Sequence, residues 1–277
     1  MNQYKVNYDL IFVVLTYRNI EDLKNFIMDT KKAVECLYKI IVVNSYFDET
    51  THLQIQKIAL DNDCDFINIE NKGYGYGNNR GIEIAKERYS FRYLITSNPD
   101  VQIQSFSLKN LEGMQKCIVA PTIKTLSGKD QNPYYYSKIE FVEWIRYFSY
   151  IKERKLPAYI GFAINKIYRI IGLSLDRVLN IKRREIYACH GSFVIFGCEA
   201  LDILGEVYNE KMFLFSEENH LARLALEKKI KTYMTPEIRV LHKEDGSVGL
   251  ENEKMASYSR QSFILYYENW KKGNNRS

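Results

Sequence analysis

The chain has 277 residues, of which 46% are hydrophobic and 26% charged; this composition argues against disorder and fits one folded core with an elaboration, or two small domains. Its five cysteines are odd in number and form no close pair at metal-ligand spacing, which disfavours a disulfide framework and favours thiols in a reducing cytoplasm. The net charge of +5 and the 22 tyrosines mildly favour anionic partners without identifying one.

Signals for export or membrane insertion are weak. The N-terminal residues lack a basic stretch followed by an apolar one, so we expect no secretory signal. The apolar run at 156–165 falls short of the roughly 20 residues of a spanning helix, and Lys155 and Lys166 bracket it. We therefore expect a cytoplasmic protein whose only membrane contact is peripheral.

The first 120 residues alternate apolar runs with segments of helical spacing. This pattern predicts an α/β fold with a mostly parallel central sheet and helices on both faces. Strands are predicted at 9–16, 39–44, 65–70, 92–97 and 117–121, and helices at 21–34, 50–61 and 108–116. A Gly-rich loop at 71–81 leads into a further helical stretch. Because such sheets bind ligands at the carboxyl ends of their strands, the loops at Thr16, Asn44, Asn71 and Asn98 are expected to converge.

The character of the sequence changes at residues 130–184, where Tyr, Phe, Ile, Lys and Arg follow helical spacing. We interpret this segment as a helical insertion between two halves of one domain, residues 1–129 and 185–277. The second half is predicted to contain a strand at 186–196, a helix at 216–228, extended pieces at 231–234 and 240–242, and a terminal helix at 255–271.

Two loops in the first half carry candidate ligand-binding residues. Gly73, Gly75 and Gly77 follow the third strand rather than the first, which disfavours a dinucleotide-binding fingerprint and leaves a flexible turn as the alternative. Asn98-Pro-Asp100 follows the fourth strand, where a carboxylate can reach a cation bound to a diphosphate. Pro and Asp are also ordinary turn residues, so both interpretations stay open.

Titratable side chains mark two places in the second half. Glu217 and Glu218 open a predicted helix, a position where the helix dipole favours acids without any functional need. His242 closes an apolar run, which suits a ligand that points into a cleft and equally suits an exposed loop histidine. Neither feature decides the function by itself.

In their order along the chain, these features resemble the family 2 glycosyltransferases of the GT-A fold over nearly the whole length, particularly bacterial rhamnosyltransferase-like enzymes of surface-polysaccharide assembly. The matching segments are 13–19, 42–48, 71–81, 98–101, 190–196, 213–221 and 236–242, followed by Gly246 and Ser247. Two departures are visible. The family's Glu-Asp pair is Glu217-Glu218 here, and the first Asp of its Asp-x-Asp motif is Asn98.

The resemblance implies an inverting transfer, in which an acceptor hydroxyl attacks a UDP- or dTDP-sugar opposite the leaving diphosphate. It implies that Glu218, with Glu217 as the alternative, is the general base, and that Asp100 and His242 hold Mn²⁺ or Mg²⁺. The donor-binding positions that it implies are Thr16, Arg18, Asn44, Asp48, Asn71, Gly73, Asn78, Arg80, Asn98 and Asp100. The acceptor side is assigned to His190, Gly191 and Ser192.

The implied acceptor is a glycan, lipid-linked in many family members of this size, during assembly of capsule, O-antigen or a similar surface polysaccharide. The insertion at 130–184 suits an amphipathic surface on the anionic inner leaflet of a membrane, and equally a solvated charged face over an ordinary core. Nucleic acid is not expected as a partner, because no recognition motif accompanies the basic residues. Homo-oligomerisation stays open.

Two other functions are compatible with the sequence. A sugar-1-phosphate nucleotidyltransferase also pairs such a sheet with Mg²⁺, although a Gly-rich loop would be expected where residues 16–20 lack glycine. A non-catalytic nucleotide-binding or membrane-binding protein with a decayed site would explain Asn98 and Glu218. Release of nucleoside diphosphate from a donor separates these alternatives from a glycosyltransferase.

Overall fold

The structure, a computed structural model, describes residues 5–243 and 252–274. Its strands are β1 (Val6–Thr16), β2 (Tyr38–Ser45), β3 (Asp65–Ile69), β4 (Tyr89–Ser97), β5 (Val101–Ser105), β6 (Ile118–Thr125), β7 (Arg184–Ile186), β8 (Phe193–Gly197) and β9 (Thr232–His242). Its helices are α1 (Ile20–Ala33), α2 (Glu49–Asp61), α3 (Tyr74–Arg88), α4 (Glu140–Ile151), α5 (Lys155–Val178), α6 (Cys198–Leu204), α7 (Glu217–Glu227) and α8 (Asn252–Asn274), and a 3₁₀ helix lies at Leu108–Leu111.

The strands form one nine-stranded sheet in the order β3-β2-β1-β4-β8-β6-β9-β5, with β7 paired to β9. Strands β1 to β4 are mutually parallel, and β8 runs antiparallel to both β4 and β6. Strands β6 and β9 therefore share the direction of β1, whereas β5 and β7 oppose it. The predicted fold class, α/β with a mostly parallel sheet, is confirmed.

Strand β1 is buried on both faces of the sheet. Leu10, Phe12 and Val14 belong to a core that includes side chains of α1 and α2, and Ile11 and Val13 belong to a second core with α3, α6 and α7. Successive side chains of a strand point to opposite faces, so a strand covered on both sides is continuously apolar. Helices on both faces hold the carboxyl ends of β1, β2 and β4 at one edge.

The Gly-rich segment differs from the prediction, because most of it is helix rather than loop. Helix α3 starts at Tyr74, directly after Gly73, whose φ is 108°. A Cβ at position 73 would lie 2.3 Å from the Phe213 carbonyl oxygen, and one at Gly81 would lie 2.2 Å from Cγ1 of Val13. These glycines therefore permit close packing between chain segments rather than flexibility.

Several other boundaries were predicted wrongly. The helix expected at 108–116 is only the short 3₁₀ helix, and the strand expected at 186–196 is interrupted between β7 and β8. The two extended pieces at 231–234 and 240–242 are one strand, β9, with a register shift opposite β6. No periodicity predicts β5 or α6, because their five and seven residues are too few to show one.

The segment at 130–184 contains α4 and α5, which pack closely on each other. A Cβ at Gly161 of α5 would lie 3.2 Å from Cγ2 of Ile145 in α4. The buried Glu143 carboxylate of α4 pairs with Arg223 of α7 and accepts a hydrogen bond of 2.9 Å from the Tyr266 hydroxyl of α8. Charge and hydrogen bonding thus attach α4 to α7 and α8.

Candidate active site

A cleft of about 700 Å³ opens at the carboxyl ends of β1, β2 and β4. Leu15, Ser45, Asn98 and Asp100 contribute to this side of the lining. Further lining comes from residues 190–192, from residues 213–218 ahead of and within α7, and from α8, together with side chains that are described below. Open sheets with parallel strands place ligands at this edge, as the sequence predicts.

Asp100 and His242 lie side by side in the cleft wall, both nearly buried. Nε2 of His242 is 3.3 Å from Oδ2 of Asp100, and Nδ1 of His242 is 2.8 Å from Oε1 of Gln131. Pairing of β5 with β9 places Val101 opposite His242, and the N–H of Lys243 donates to the Asp100 carbonyl. The backbone pairing thus brings together a carboxylate oxygen and an imidazole nitrogen, two atoms that can coordinate a metal ion.

A second histidine, His190, lies beside this pair, with its ring centroid 5.6 Å from that of His242. Its backbone N–H donates to Oδ1 of Asn132 at 2.7 Å, and its Nδ1 is 3.0 Å from the Ser192 hydroxyl. Burial, with the adjacent His242, lowers the pKa of His190 to about 3. The His190 ring is therefore neutral at neutral pH and adds no positive charge to the cleft.

Glu218 lines the cleft near the start of α7. Its Oε1 accepts a hydrogen bond of 3.3 Å from the N–H of Gly191, whose carbonyl accepts one of 2.8 Å from the Tyr74 hydroxyl. Burial raises the pKa of Glu218, while backbone N–H groups and the Arg146 charge oppose that rise. This carboxyl has donors that stabilise its ionised form.

Glu217 also lines the cleft, but its surroundings differ. It is 5% exposed, and its Oε1 has no hydrogen-bond partner among the described residues. Burial raises the pKa of Glu217 well above its usual range, and the neighbouring Glu218 charge raises it further. The environment of Glu217 therefore favours the protonated acid.

Helix α7 begins after an unusual turn. Phe215 and Ser216 are consecutive non-glycine residues with φ values of 72° and 69°. The left-handed region is unfavourable for residues with a side chain, so surrounding contacts must hold the turn. One such contact is the hydrogen bond of 2.8 Å from the Ser262 hydroxyl of α8 to the Leu214 carbonyl. The turn sets the start of α7, with its two glutamates, against the cleft.

Arg146 of α4 lines the cleft and was missed by the sequence analysis. It is 8% exposed, its guanidinium lies 4.3 Å from the Phe263 ring centroid, and it donates to the Tyr150 hydroxyl at 3.4 Å. Within the described residues, its Nη1 has no hydrogen-bond partner. The signal in the sequence that could have identified Arg146 is that it is an arginine on the otherwise largely apolar, buried side of α4.

Some of the predicted donor-binding residues lie at the cleft. Asn71, Gly73 and Asn98 line it. Thr16 is the last residue of β1 and pairs in register with Asn44, the penultimate residue of β2. Each is adjacent in sequence to a lining residue. Both are fully buried, and Oγ1 of Thr16 and Oδ1 of Asn44 have no hydrogen-bond partner among the described residues. Thr16 and Asn44 therefore lie beneath the residues that line the cleft and are not part of its surface.

Arg18 and Asp48 are not among the lining residues. The Arg18 guanidinium lies 4.2 Å from the Phe47 ring centroid, and Arg18 has a φ of 68°. The Asp48 carboxylate caps α2 by accepting a hydrogen bond of 2.7 Å from the N–H of Thr51. Their observed contacts are structural, and their contribution to donor binding stays a prediction.

Asn78 and Arg80 belong to α3 and also lie outside the lining. The Asn78 side chain donates to the Tyr74 carbonyl at 3.0 Å. The Arg80 guanidinium forms ion pairs of 2.7 Å with both Glu83 and Glu210, which compete with any phosphate for its donors. The predicted Gly246-Ser247 motif lies outside the described residues.

No protein-family model matches this chain, and no curated protein matches it. Among solved structures, the crystal structure of GalNAc-T7 with UDP, GalNAc and Mn²⁺ is similar with a TM-score of 0.60 and 11% identity, covering 85% of this chain and 44% of that chain. S. aureus TarS is similar with a TM-score of 0.55 and 12% identity, covering 85% of this chain and 36% of that chain.

Both neighbours are GT-A type glycosyltransferases, and this chain has the GT-A fold. It spans less than half the length of either neighbour. At these identities the likeness establishes the fold, so the activity has to be argued from the cleft. Membership of family 2 stays a prediction.

Proposed function

We propose that this protein is an inverting glycosyltransferase that moves a sugar from a UDP- or dTDP-sugar to a hydroxyl of a glycan acceptor. The observation that carries this proposal is that Asp100, His242 and Glu218 line one cleft of a GT-A fold, at the carboxyl ends of its strands. We further propose that the acceptor is a lipid-linked intermediate of a surface polysaccharide, such as a capsule or O-antigen.

Asp100 and His242 fit a divalent cation, Mn²⁺ or Mg²⁺. Their oxygen and nitrogen donors lie 3.3 Å apart, and the described residues contain no group of three or more His, Cys, Asp or Glu side chains suited to a metal. Cations of this kind often use one or two protein ligands and complete their coordination with phosphate oxygens. When bound, the cation supplies Lewis-acid stabilisation of a leaving diphosphate. The GalNAc-T7 neighbour was solved with Mn²⁺, in line with this assignment.

Glu218 is the better candidate for the general base. The base must be ionised to accept the acceptor's hydroxyl proton while the new glycosidic bond forms and the diphosphate leaves with the bonding electrons. Glu218 accepts a hydrogen bond from the Gly191 N–H, and the positive charge of Arg146 lowers its pKa. Oε1 of Glu217, by contrast, has no hydrogen-bond partner among the described residues. These contacts favour ionisation of Glu218 over ionisation of Glu217.

A sugar-1-phosphate nucleotidyltransferase is the less favoured enzyme. The turn between β1 and α1 consists of Tyr17, Arg18 and Asn19 and contains no glycine, so it offers no Gly-rich phosphate loop. That enzyme would release pyrophosphate from a nucleoside triphosphate and a sugar 1-phosphate. A glycosyltransferase instead releases a nucleoside diphosphate from a nucleotide-sugar.

The test begins with thermal stabilisation by a panel of UDP-, dTDP- and GDP-sugars in the presence of Mn²⁺. With the best donor, Glu218→Gln is expected to lower nucleoside-diphosphate release at least about 100-fold while the donor dissociation constant is unchanged. Glu227→Gln, at the exposed end of α7, is the matched control and should behave as wild type. Full activity in Glu218→Gln contradicts the base assignment, and donor binding without any release indicates a non-catalytic binding protein.

A further inference from the structure

Helix α5 presents an apolar face to solvent. Along one side of its 24 residues, six aliphatic side chains are 44–81% exposed: Leu156, Ile160, Ile167, Ile170, Ile171 and Val178. Successive members are one, three, four or seven residues apart, which at helical spacing puts all six on one stripe, which we call the outer face of α5. Single exposed apolar side chains are ordinary, whereas a contiguous apolar stripe of this length marks a surface that binds something.

The charges around this face are predominantly basic. Lys155 and Lys166 are exposed on α5, and Lys182 is exposed shortly after it. The single acidic residue of α5, Asp176, is buried and pairs with Arg184. The outer face therefore combines apolar side chains with an unopposed positive charge, and it complements an anionic apolar surface.

The neighbouring helix α4 adds exposed aromatic side chains. Phe141 and Trp144 are 51% and 46% exposed, and their ring centroids are 5.9 Å apart. Trp144 also stacks on Phe148 at 5.7 Å. Aromatic rings of this kind are favoured where an apolar layer meets polar headgroups.

We propose that the outer face of α5 docks on the surface of an anionic phospholipid bilayer, with the helix lying in the plane of the membrane. The aliphatic stripe would enter the boundary between headgroups and acyl chains, and the lysines would contact lipid phosphates. None of the helices in residues 5–243 and 252–274 is long and apolar enough to cross a membrane. A symmetric dimer through this face would bring lysines of two copies together, which favours lipid over a second copy of the chain.

The inner side of the same helix pair borders the cleft. Phe162 of α5 lies 5.5 Å from the guanidinium of Arg146, which lines the cleft together with Glu218. Docking through the outer face would therefore hold the cleft close to the bilayer, within reach of a lipid-linked acceptor. This consequence rests on the proposed function, whereas the docking itself does not.

The experiment measures co-sedimentation of the full chain with vesicles of phosphatidylglycerol and phosphatidylcholine, and with vesicles of phosphatidylcholine alone. We expect wild type to bind the anionic vesicles more strongly, and to lose much of that binding in about 0.5 M salt. The variant Ile167→Glu/Ile171→Glu should lower the partition coefficient at least about tenfold. Leu60→Glu is the matched control, because Leu60 is 64% exposed on α2, away from this face.

Absence of wild-type binding to anionic vesicles overturns the proposal, as does equal binding by wild type and the double variant. A wild-type dimer in light scattering that the double variant loses, with no vesicle binding by either, would assign the face to a second copy. Thermal melting and donor hydrolysis in solution are measured on the same preparations. They show that the variants fold, and they separate failure of docking from failure of the proposed glycosyl transfer.

Discussion

Nε2 of His242 lies 3.3 Å from the carboxylate of Asp100, although the two residues come from opposite halves of the chain. The antiparallel pairing of β5 with β9 creates this contact, because it sets Val101 directly opposite His242. A carboxylate and an imidazole at this separation, facing a cleft, can share one cation with a substrate diphosphate.

Removing either side chain should therefore weaken cation-dependent donor binding. We expect Asp100→Asn and His242→Gln each to raise the dissociation constant of UDP in the presence of Mn²⁺ at least about tenfold, by analogy with losses at metal sites. Titration calorimetry with and without Mn²⁺ measures this effect. Asp202→Asn, at an exposed position of α6, is the control. An unchanged Mn²⁺ dependence in both variants would show that the cation, if used, binds elsewhere.

If the proposed transfer takes place, the charge of Arg146 should contribute to its pH dependence by helping to keep Glu218 ionised. Burial raises the pKa of Glu218, and Arg146 opposes that rise, so removing the charge raises the pKa further. Since the base must be deprotonated, we expect Arg146→Met to move the acidic limb of the kcat profile to higher pH.

The matched variant for this prediction is Arg146→Lys, which keeps the charge and should leave the limb near its wild-type position. Steady-state rates between pH 4 and pH 9 measure the shift, and melting temperatures show whether each variant is folded. A limb at the same pH in Arg146→Met would mean that Arg146 does not act on Glu218.

Glu217 should make the stability of the protein depend on pH. Its pKa is raised in the folded state, whereas the unfolded chain titrates near the usual value of about 4.3. As the pH rises above that value, the unfolded state loses its proton first, and the free energy of unfolding falls until the folded state also ionises. Glu217→Gln removes this loss.

We therefore expect Glu217→Gln to raise the melting temperature by at least about 2 °C at pH 8, with little or no gain at pH 4. Calorimetry at both pH values measures the difference, and Glu227→Gln, exposed on the same helix, is the control. An equal rise in melting temperature at both pH values would show that the effect of Glu217→Gln does not come from the ionisation of Glu217.

The Glu143 carboxylate should be important for stability, because it joins three helices. It pairs with Arg223 and accepts hydrogen bonds from the hydroxyls of Tyr266 and Tyr187. Glu143→Ala leaves the Arg223 guanidinium without its carboxylate partner, at an expected cost of about 3–5 kcal/mol in the free energy of unfolding.

Urea denaturation measures this cost. Glu140→Ala is the control, because Glu140 is exposed on the same helix and should change stability by less than about 0.5 kcal/mol. Similar destabilisation by the two substitutions would show that the buried Glu143–Arg223 ion pair contributes no more to stability than an exposed glutamate.

Much of the fold could be predicted from local patterns. Strands β1, β2 and β4 are continuous apolar runs because both of their faces are covered, and the helices between them carry apolar side chains at helical spacing. The order of the elements then predicts the parallel half of the sheet. Short elements such as β5 and α6 show no such pattern.

Glycines illustrate the limit of local inference. The segment at 71–81, which includes Gly73 and Gly81, is predicted to be a Gly-rich loop, because glycine is a usual residue of turns. In the structure they border or belong to α3, where each permits a close approach to another segment, Phe213 for the first and Val13 for the second. The partner that a missing side chain accommodates is distant in sequence, so only the folded chain identifies it.

By itself, the sequence determined the fold class, and it predicted the edge of the sheet at which the cleft opens and the candidate residues Asp100, Glu217, Glu218 and His242. The tertiary structure decided that Asp100 touches His242, that Arg146 enters the cleft, and that Glu218 has donors that Glu217 lacks. The reason is physical: periodicity is a property of neighbours along the chain, whereas strand register, burial and charge interactions depend on segments that meet only when it folds.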